Sequence, residues 1–571
     1  MLRTLFTTAC AAALSVTLST TAMAEAASGA YLAGRHAAVR SDFRMAARFY
    51  AEALREDPQN VELMESAALS YLSLGQIEKA LPLAKALDEE GQRSQIAHML
   101  LIAGWAKDGD YRTLLDSDPD QSGIGPWVDG LVRAWAHMGA GDMTAALAQF
   151  DALSAEAGMQ GFVNYHRALA LASVGDFEGA EAIFEDDLAG SVAQTRRGIL
   201  VRAEVLGQLG SYEDALDLLE LNFGESTDPE LEELVAALEA EKPFPYGQVP
   251  DVTAGIAEIF YTFASVLRSE AAGDYYVLLY SRIARYLRPD HIDALLLTAD
   301  LLENLEQYGL AIREYKEVPS DDPAYHVAEL GRADALRRLG EEEEAIEVLE
   351  QLTRTHGDLA VVHSTLGDML RAKEEYTAAI DAYDRALAAT GEGLRTRWLL
   401  FYSRGIAYER LGDLAAAEKD FRSALEINPE QPQVLNYLGY SLVEQQRNLD
   451  EALDMIERAV AASPDSGYIV DSLGWVLYRL GRYDEAVEQM ERAVELVPID
   501  PVVNDHLGDV YWAVGREREA QFQWRRALSF IDDEGSDTEA DPERIRRKLD
   551  IGLDAVLAEE GAPPLKVSAR K

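Results

Sequence analysis

Cysteine is almost absent. The one thiol in 571 residues is Cys10, so neither a disulfide framework nor a thiolate metal site can hold this chain together. Basic residues are scarce too: 52 Lys and Arg stand against 100 Asp and Glu, a formal net charge of −48. Such a field repels phosphate backbones and excludes nucleic acid as a partner. It also disfavours an anionic lipid surface. The excess of acid suits either solubility of a long exposed surface or attraction of a basic partner. Beyond the amino-terminal segment, no stretch is long and apolar enough to cross a bilayer. Catalytic signatures are missing as well. There is no Gly-rich loop ending in Lys-Ser/Thr, no Gly-x-Ser-x-Gly and no His-Glu-x-x-His. The nine histidines are scattered, His356 and His363 being the nearest pair. Asp116, Asp118 and Asp120 imitate the start of a calcium loop. Gln121 and Trp127 stand where that loop needs glycine and glutamate, so an acidic solvated turn is expected. No catalytic residue, cofactor or metal is expected.

What is present begins with an export signal. Arg3 is followed by a mostly apolar or small run from Leu5 to Leu18, and Ala22-Met23-Ala24 fits the small-x-small cleavage rule. Cleavage there makes Glu25 the first mature residue and removes Cys10. Thr7-Thr8-Ala9-Cys10 is a poor lipidation site, because no leucine stands three before the cysteine and the apolar run continues past it.

Periodicity decides the fold class. Gly405, Tyr408, Gly412, Ala417, Phe421, Ala424 and Pro429 form one frame. It recurs with Gly439, Ala452, Ala459 and Pro464, then with Gly474, Gly481, Tyr483, Ala486, Ala493 and Pro498. A further copy carries Gly508, Tyr511, Gly515, Ala520, Trp524 and Ala527. The glycines at 405, 439, 474 and 508 are 34, 35 and 34 residues apart. These offsets match the tetratricopeptide repeat (TPR), a pair of antiparallel helices per unit. Small residues let the two helices approach, aromatics fill the space left, and proline ends the unit. Upstream the frame persists with decay: Gly34/Ala46/Tyr50, Ala68/Ala80, Ala134/Ala146/Phe150, Ala168/Ala180/Phe184, Ala203/Ala215, Ala299/Ala311/Tyr315, Ala333/Ala345 and Gly367/Ala379/Tyr383. The chain therefore reads as an all-α TPR superhelical solenoid of roughly twelve or thirteen helical pairs.

Three prolines and a glycine between Lys242 and Pro250 allow no helix there. The expected organisation is a signal over 1–24, an amino-terminal array over 25–240 and a proline-rich elbow over 241–254. A carboxyl-terminal array over 255–531 follows, then an acidic linker and capping helix over 532–571. Asp532-Asp533-Glu534-Gly535-Ser536-Asp537 forms the linker. Asp541-Pro542 supplies the cap and first turn of the last helix, and Lys566, Arg570 and Lys571 a basic tail.

In TPR units the ligand-facing surface comes mainly from the first helix of each pair. In the last four units that stripe holds Tyr402 and Glu409, Asn436 and Tyr440, then Asp471, Trp475 and Tyr478, and Asp505, Asp509 and Trp512. Aromatics with interleaved acids and an amide suit an extended peptide; the same rings also suit packing between helices. No Lys/Arg set for clamping a terminal carboxylate is present on the stripe.

Four segments carry a closer resemblance over 255–527: Asp471 through Arg482, His506 through Arg516, Ala254-Gly255-Ile256-Ala257-Glu258, and Asp293 through Asp300. They resemble the large TPR outer-membrane lipoproteins that bind and activate a periplasmic carboxyl-terminal processing protease. The resemblance implies a scaffold that gathers this protease and its peptidoglycan (cell-wall) hydrolase substrates. It also implies a lipid anchor, which Cys10 does not support, so membrane attachment stays open while export does not. Two other readings remain: a structural TPR component of an envelope assembly or export complex, and an enzyme using its repeats to hold substrate. The lack of a catalytic cluster argues against the latter. The leading expectation is a periplasmic, non-enzymatic protein-binding adaptor.

Overall fold

A computed structural model describes residues 28–117, 123–155, 158–224, 228–242, 245–391, 395–531 and 540–565. The export segment with Cys10, the calcium-like Asp118, Asp120 and Gln121, the acidic run 532–537 and the tail Lys566, Arg570, Lys571 lie outside the described residues. Among the described residues every regular element is a helix and none is a strand.

Local chemistry fixes the helix ends. Asp42, Asn60, Asp142, Asp176, Asp413 and Asp500 each cap a helix by accepting a backbone N–H three residues on, satisfying a donor the helix cannot. Pro432, Pro501 and Pro542 occupy first turns, where no N–H is missed. Gly210 and Gly481 close helices in the left-handed region, at φ 74° and 78°, a conformation cheap only for glycine.

Each hairpin closes small against large. A Cβ added to Gly405 would stand 2.7 Å from the Phe421 ring, one on Gly439 2.7 Å from Ile456, and one on Gly474 2.6 Å from Met490. The repeat alanines Ala417, Ala424, Ala452, Ala459, Ala486, Ala493, Ala520 and Ala527 are all fully buried. The offsets seen in the sequence are therefore the contacts of an all-α TPR solenoid.

The chain forms two compact units, dividing between Val348 and Leu349. Within the first unit, first helices Val61–Ser73, Gln95–Asp108, Pro126–Gly139, Gln160–Ser173 and Arg196–Leu209 succeed one another. Residues 245–250 then run without a helix; Glu204 accepts from the Gly247 N–H at 3.1 Å and from Gln248 Nε2 at 3.0 Å. Next comes a hairpin of Val252–Ser269 and Asp274–Leu287, which packs back onto the earlier first helices. Gly255 lies against the Trp135 ring with no room for a side chain. Phe263 meets Phe162 edge-on at 4.6 Å, and Tyr275 stacks on Phe43 at 5.6 Å. Lys107 Nζ donates to the last carbonyls of this hairpin, Tyr286 O at 3.0 Å and Leu287 O at 3.1 Å, favourable at a helix carboxyl end.

In the second unit, hairpins run from Ala360–Ala372 to Glu517–Ser529, and helices Pro542–Ile551 and Leu553–Glu559 close the end.

Candidate protein-binding site

All ten residues of the sequence-derived stripe lie on first helices of the second unit: Arg397–Arg410, Pro432–Glu444, Gly467–Leu480 and Pro501–Ala513. Their surroundings differ along the array.

Tyr402, Glu409, Asn436 and Tyr440 are partly accessible. Tyr402 sits 5.5 Å from the Tyr437 ring and 6.3 Å from Trp398, and burial pushes its phenol pKa up. Asn436 Oδ1 is shielded and accepts no hydrogen bond.

Of the remaining six, Asp471, Trp475, Tyr478, Asp505 and Asp509 are buried by the chain itself, and Trp512 is partly covered. Trp475 stacks between Tyr478 at 4.9 Å and His506 at 4.0 Å, and its Nε1 donates to Glu444 at 2.8 Å. Asp471 lies 3.0 Å from His506 Nδ1. Asp505 and Asp509 both meet Lys548 of the terminal helix, at 2.8 and 2.6 Å, and Asp509 also accepts from Trp524 Nε1 at 2.9 Å. Trp512 Nε1 donates to Asp554 at 3.0 Å, and Gly552 lies against its ring. The terminal helices thus cover the last hairpin's share of the stripe.

Sequence reasoning missed three side chains on first helices of this unit. Val361, Leu399 and Tyr468 are 47, 51 and 60% exposed, unusual for large apolar groups. A signal for them exists. Each stands six positions before its hairpin's small residue, since 367 − 361, 405 − 399 and 474 − 468 all equal six. Nearly two helical turns of spacing place them toward the start of the first helix.

The first unit differs. Arg197 binds Glu258 with two bonds, Nε at 2.6 Å and Nη2 at 2.7 Å, and reaches Asp293 at 2.7 Å. His291 Nε2 lies 3.2 Å from the same fully buried Glu258. Burial would raise the Glu258 pKa, but the Arg197 charge and the Arg197 and His291 hydrogen bonds overcome it and hold the carboxyl far below its ordinary range. This network, on Val252–Ser269, fills the first-helix face with the chain's own hairpin. The resemblance segments Ala254–Glu258 and Asp293–Asp300 supply its contacts. Nothing local in the sequence announced Arg197 as a partner; an isolated acid in an otherwise apolar helix, Glu258, was the available signal.

Among the described residues no group of three or more His, Cys, Asp or Glu is placed to hold a metal ion, and no helix is long and apolar enough to cross a membrane.

Repeating hairpins and small-to-large closure define a TPR solenoid. Comparison with known proteins agrees: a model of the tetratricopeptide repeat matches residues 31–94, 296–358, 330–393, 402–467 and 444–501, so these segments are TPR units. A TPR repeat-containing protein of Pseudomonas aeruginosa is 31% identical over 186 residues, 32% of this chain. The chain spans 30% of the length of that relative. The Cut9–Hcn1 hetero-tetramer of APC/C aligns with 92% of this chain and 96% of that one at 15% identity and a TM-score of 0.39. A tetratricopeptide repeat protein from Parabacteroides merdae aligns with 45% of this chain and 97% of that one at 17% identity, TM-score 0.36.

Proposed function

We propose that this chain is an exported protein-binding scaffold whose partner docks on the first helices between Ala360 and Tyr468. The observation that supports this is the contrast in cover. The hairpin of 252–287 packs on the first helices between Val61 and Leu209, whereas Val361, Leu399 and Tyr468 on later first helices, like Val327 before them, stand exposed, and Tyr402, Asn436 and Tyr440 are partly accessible. Apolar and aromatic side chains left in water on a repeat array suit a partner surface. The resemblance assigns the partner as a periplasmic carboxyl-terminal processing protease, together with the cell-wall hydrolases it cleaves. Export through cleavage after Ala24 places the scaffold in the same compartment.

The test is retention of the purified protease by the full mature chain. Leu399→Asp with Tyr402→Ala should weaken capture by about 2 kcal/mol or more, roughly thirtyfold. Leu399→Ala alone should leave stability within about 0.5 kcal/mol, since it removes an exposed group. Undiminished capture by the double variant, with helicity intact by circular dichroism, would overturn this surface. Mass spectrometry should find Glu25 at the mature amino terminus; a diacylated Cys10 would overturn the export route.

A further inference from the structure

The last hairpin holds a buried ammonium. Lys548 on Pro542–Ile551 is 1% exposed. Its Nζ donates to Asp505 Oδ1 and Oδ2 at 2.9 and 2.8 Å and to Asp509 Oδ1 at 2.6 Å, with the Trp524 ring centroid 5.8 Å away. Arg544, one turn earlier, lies 3.7 Å from Asp509 Oδ2. Ile545 beside it is fully buried. Past Gly552, at φ 83°, the chain turns so that Asp554 takes the Trp512 indole N–H.

Asp505, Asp509 and Trp512 stand three before, one after and four after Gly508. In the neighbouring hairpin Asp471, Trp475 and Tyr478 hold the same three places around Gly474; one hairpin further back Asn436 and Tyr440 hold the first two around Gly439, and Tyr402 and Glu409 hold the first and third around Gly405. The lysine therefore occupies, in the last hairpin, the face assigned above to a partner.

A permanent cap has no need of this chemistry. Replacing a buried ion pair with well-packed apolar groups is often neutral or stabilising. A charge pair instead selects which helix sits there and in what register. Without the ammonium, two buried aspartates one turn apart would lose the one cation bonded to both, Arg544 reaching only Asp509.

We propose that the Asp505–Asp509–Trp512 face recognises a lysine on an amphipathic helix of a partner protein, and that Lys548 is its resident occupant, displaced when that helix docks. This rests on the first-helix face being the partner surface. The fitting helix carries a basic residue, an apolar residue next to it and a lysine four positions after the first, as Arg544, Ile545 and Lys548 do. A competing helix must overcome a tethered occupant, so the free site is seen only in the fraction of molecules whose own helix is released.

The probe is a fluorescent peptide of residues 540–561, titrated against the full chain. Lys548→Gln in the chain weakens the resident helix, so the unaltered peptide should bind that chain about tenfold or more tighter than the parent. A peptide with the same Lys548→Gln change should bind neither, and added salt should weaken the lysine-dependent binding. Equal affinity of both chains, or binding indifferent to the peptide's lysine, would overturn the proposal. Should the variant chain misfold, hydrogen exchange on the parent decides. Amides of 542–559 should exchange by local opening faster than those of Glu517–Ser529, and equal protection would overturn it. The readout is the peptide itself, so failure of the protease capture assay leaves this result untouched.

Discussion

The two units build the same hairpin and spend its outer face differently. In the first, Trp135, Phe162, His166 and Arg197 on successive first helices are covered by Val252–Ser269. In the second, the corresponding helices show Leu399 and Tyr468 to water, as Val327 does late in the first, before the face is buried around Trp475 and under Lys548. The repeat dictates how two helices meet, because that contact recurs within about 34 residues. It does not dictate what lies on the face between repeats. That depends on whether the chain returns, and in the first unit it returns with a buried charge network. The contrast separates first helices whose face has become core, those from Val61 to Leu209, from later ones that still show apolar side chains to water.

The sharpest way to break this comparison is to remove the charge at the centre of the filled face. Glu258→Ala leaves Arg197 with Asp293 as its remaining carboxylate partner and takes away the acid beside His291. Losing one member of a buried, hydrogen-bonded charge set costs about 3–5 kcal/mol. Hydrogen exchange of 252–287 should rise strongly while protection of 432–529 is unchanged. Should Glu258→Ala cost no more than removal of the exposed Arg458–Glu430 pair, expected to be worth about 0–1 kcal/mol, the hairpin is not held by this network.

A smaller effect tests packing in each unit. Gly255→Ala forces a methyl into the Trp135 ring, and Ala417→Leu enlarges a fully buried hairpin contact. Overpacking costs about 1–3 kcal/mol at such places. Both should lower the urea midpoint of their own unit only. An Ala417→Leu chain that unfolds like the parent would mean its hairpin is looser than the small-to-large closure requires.

How much of this was legible in the sequence follows from range. Ala417, Phe421 and Gly405 announce their contact because they lie within one hairpin and recur in the next. Arg197 and Glu258 are 61 residues apart and occur once, so no periodicity marks them. The stripe from Tyr402 to Trp512 was legible as positions on first helices. Its coverage was not, because Lys548 meets Asp505 across 43 residues through one terminal helix outside the repeat. Val361, Leu399 and Tyr468 obeyed the frame but were apolar, and apolar residues in a repeat read by default as core.

The last and smallest effect is a difference in the sign of the pH response. His166 in the first unit is fully buried against Phe162, and its Nδ1 has no partner. Burial lowers its pKa to about 4, against a weaker upward pull from Glu258. Burial and the Arg197 charge lower His291 as well, outweighing Glu258. In the second unit burial opposes the charge on His506, but Asp471, Asp505 and Asp509 outweigh it and raise its pKa. A histidine whose folded pKa is lowered contributes stability above its unfolded value of about 6.5, and that contribution fades as pH falls toward the folded value. A raised histidine does the reverse, contributing below about 6.5 and losing its contribution as pH rises through the folded value. Going from about pH 7.5 to 6, the histidine contribution should weaken the first unit and strengthen the end of the second, by less than about 1 kcal/mol per histidine. Titrating the histidine C2 protons by NMR should place His166 well below about 6.5 and His506 above it. Protection factors for 252–269 should then fall on acidification while those for 501–513 rise. Titration of both histidines on the same side of the ordinary value would mean that the two surroundings, one a buried pocket whose acid is paired with Arg197 and one lined by three aspartates, do not differ electrostatically as their geometry requires.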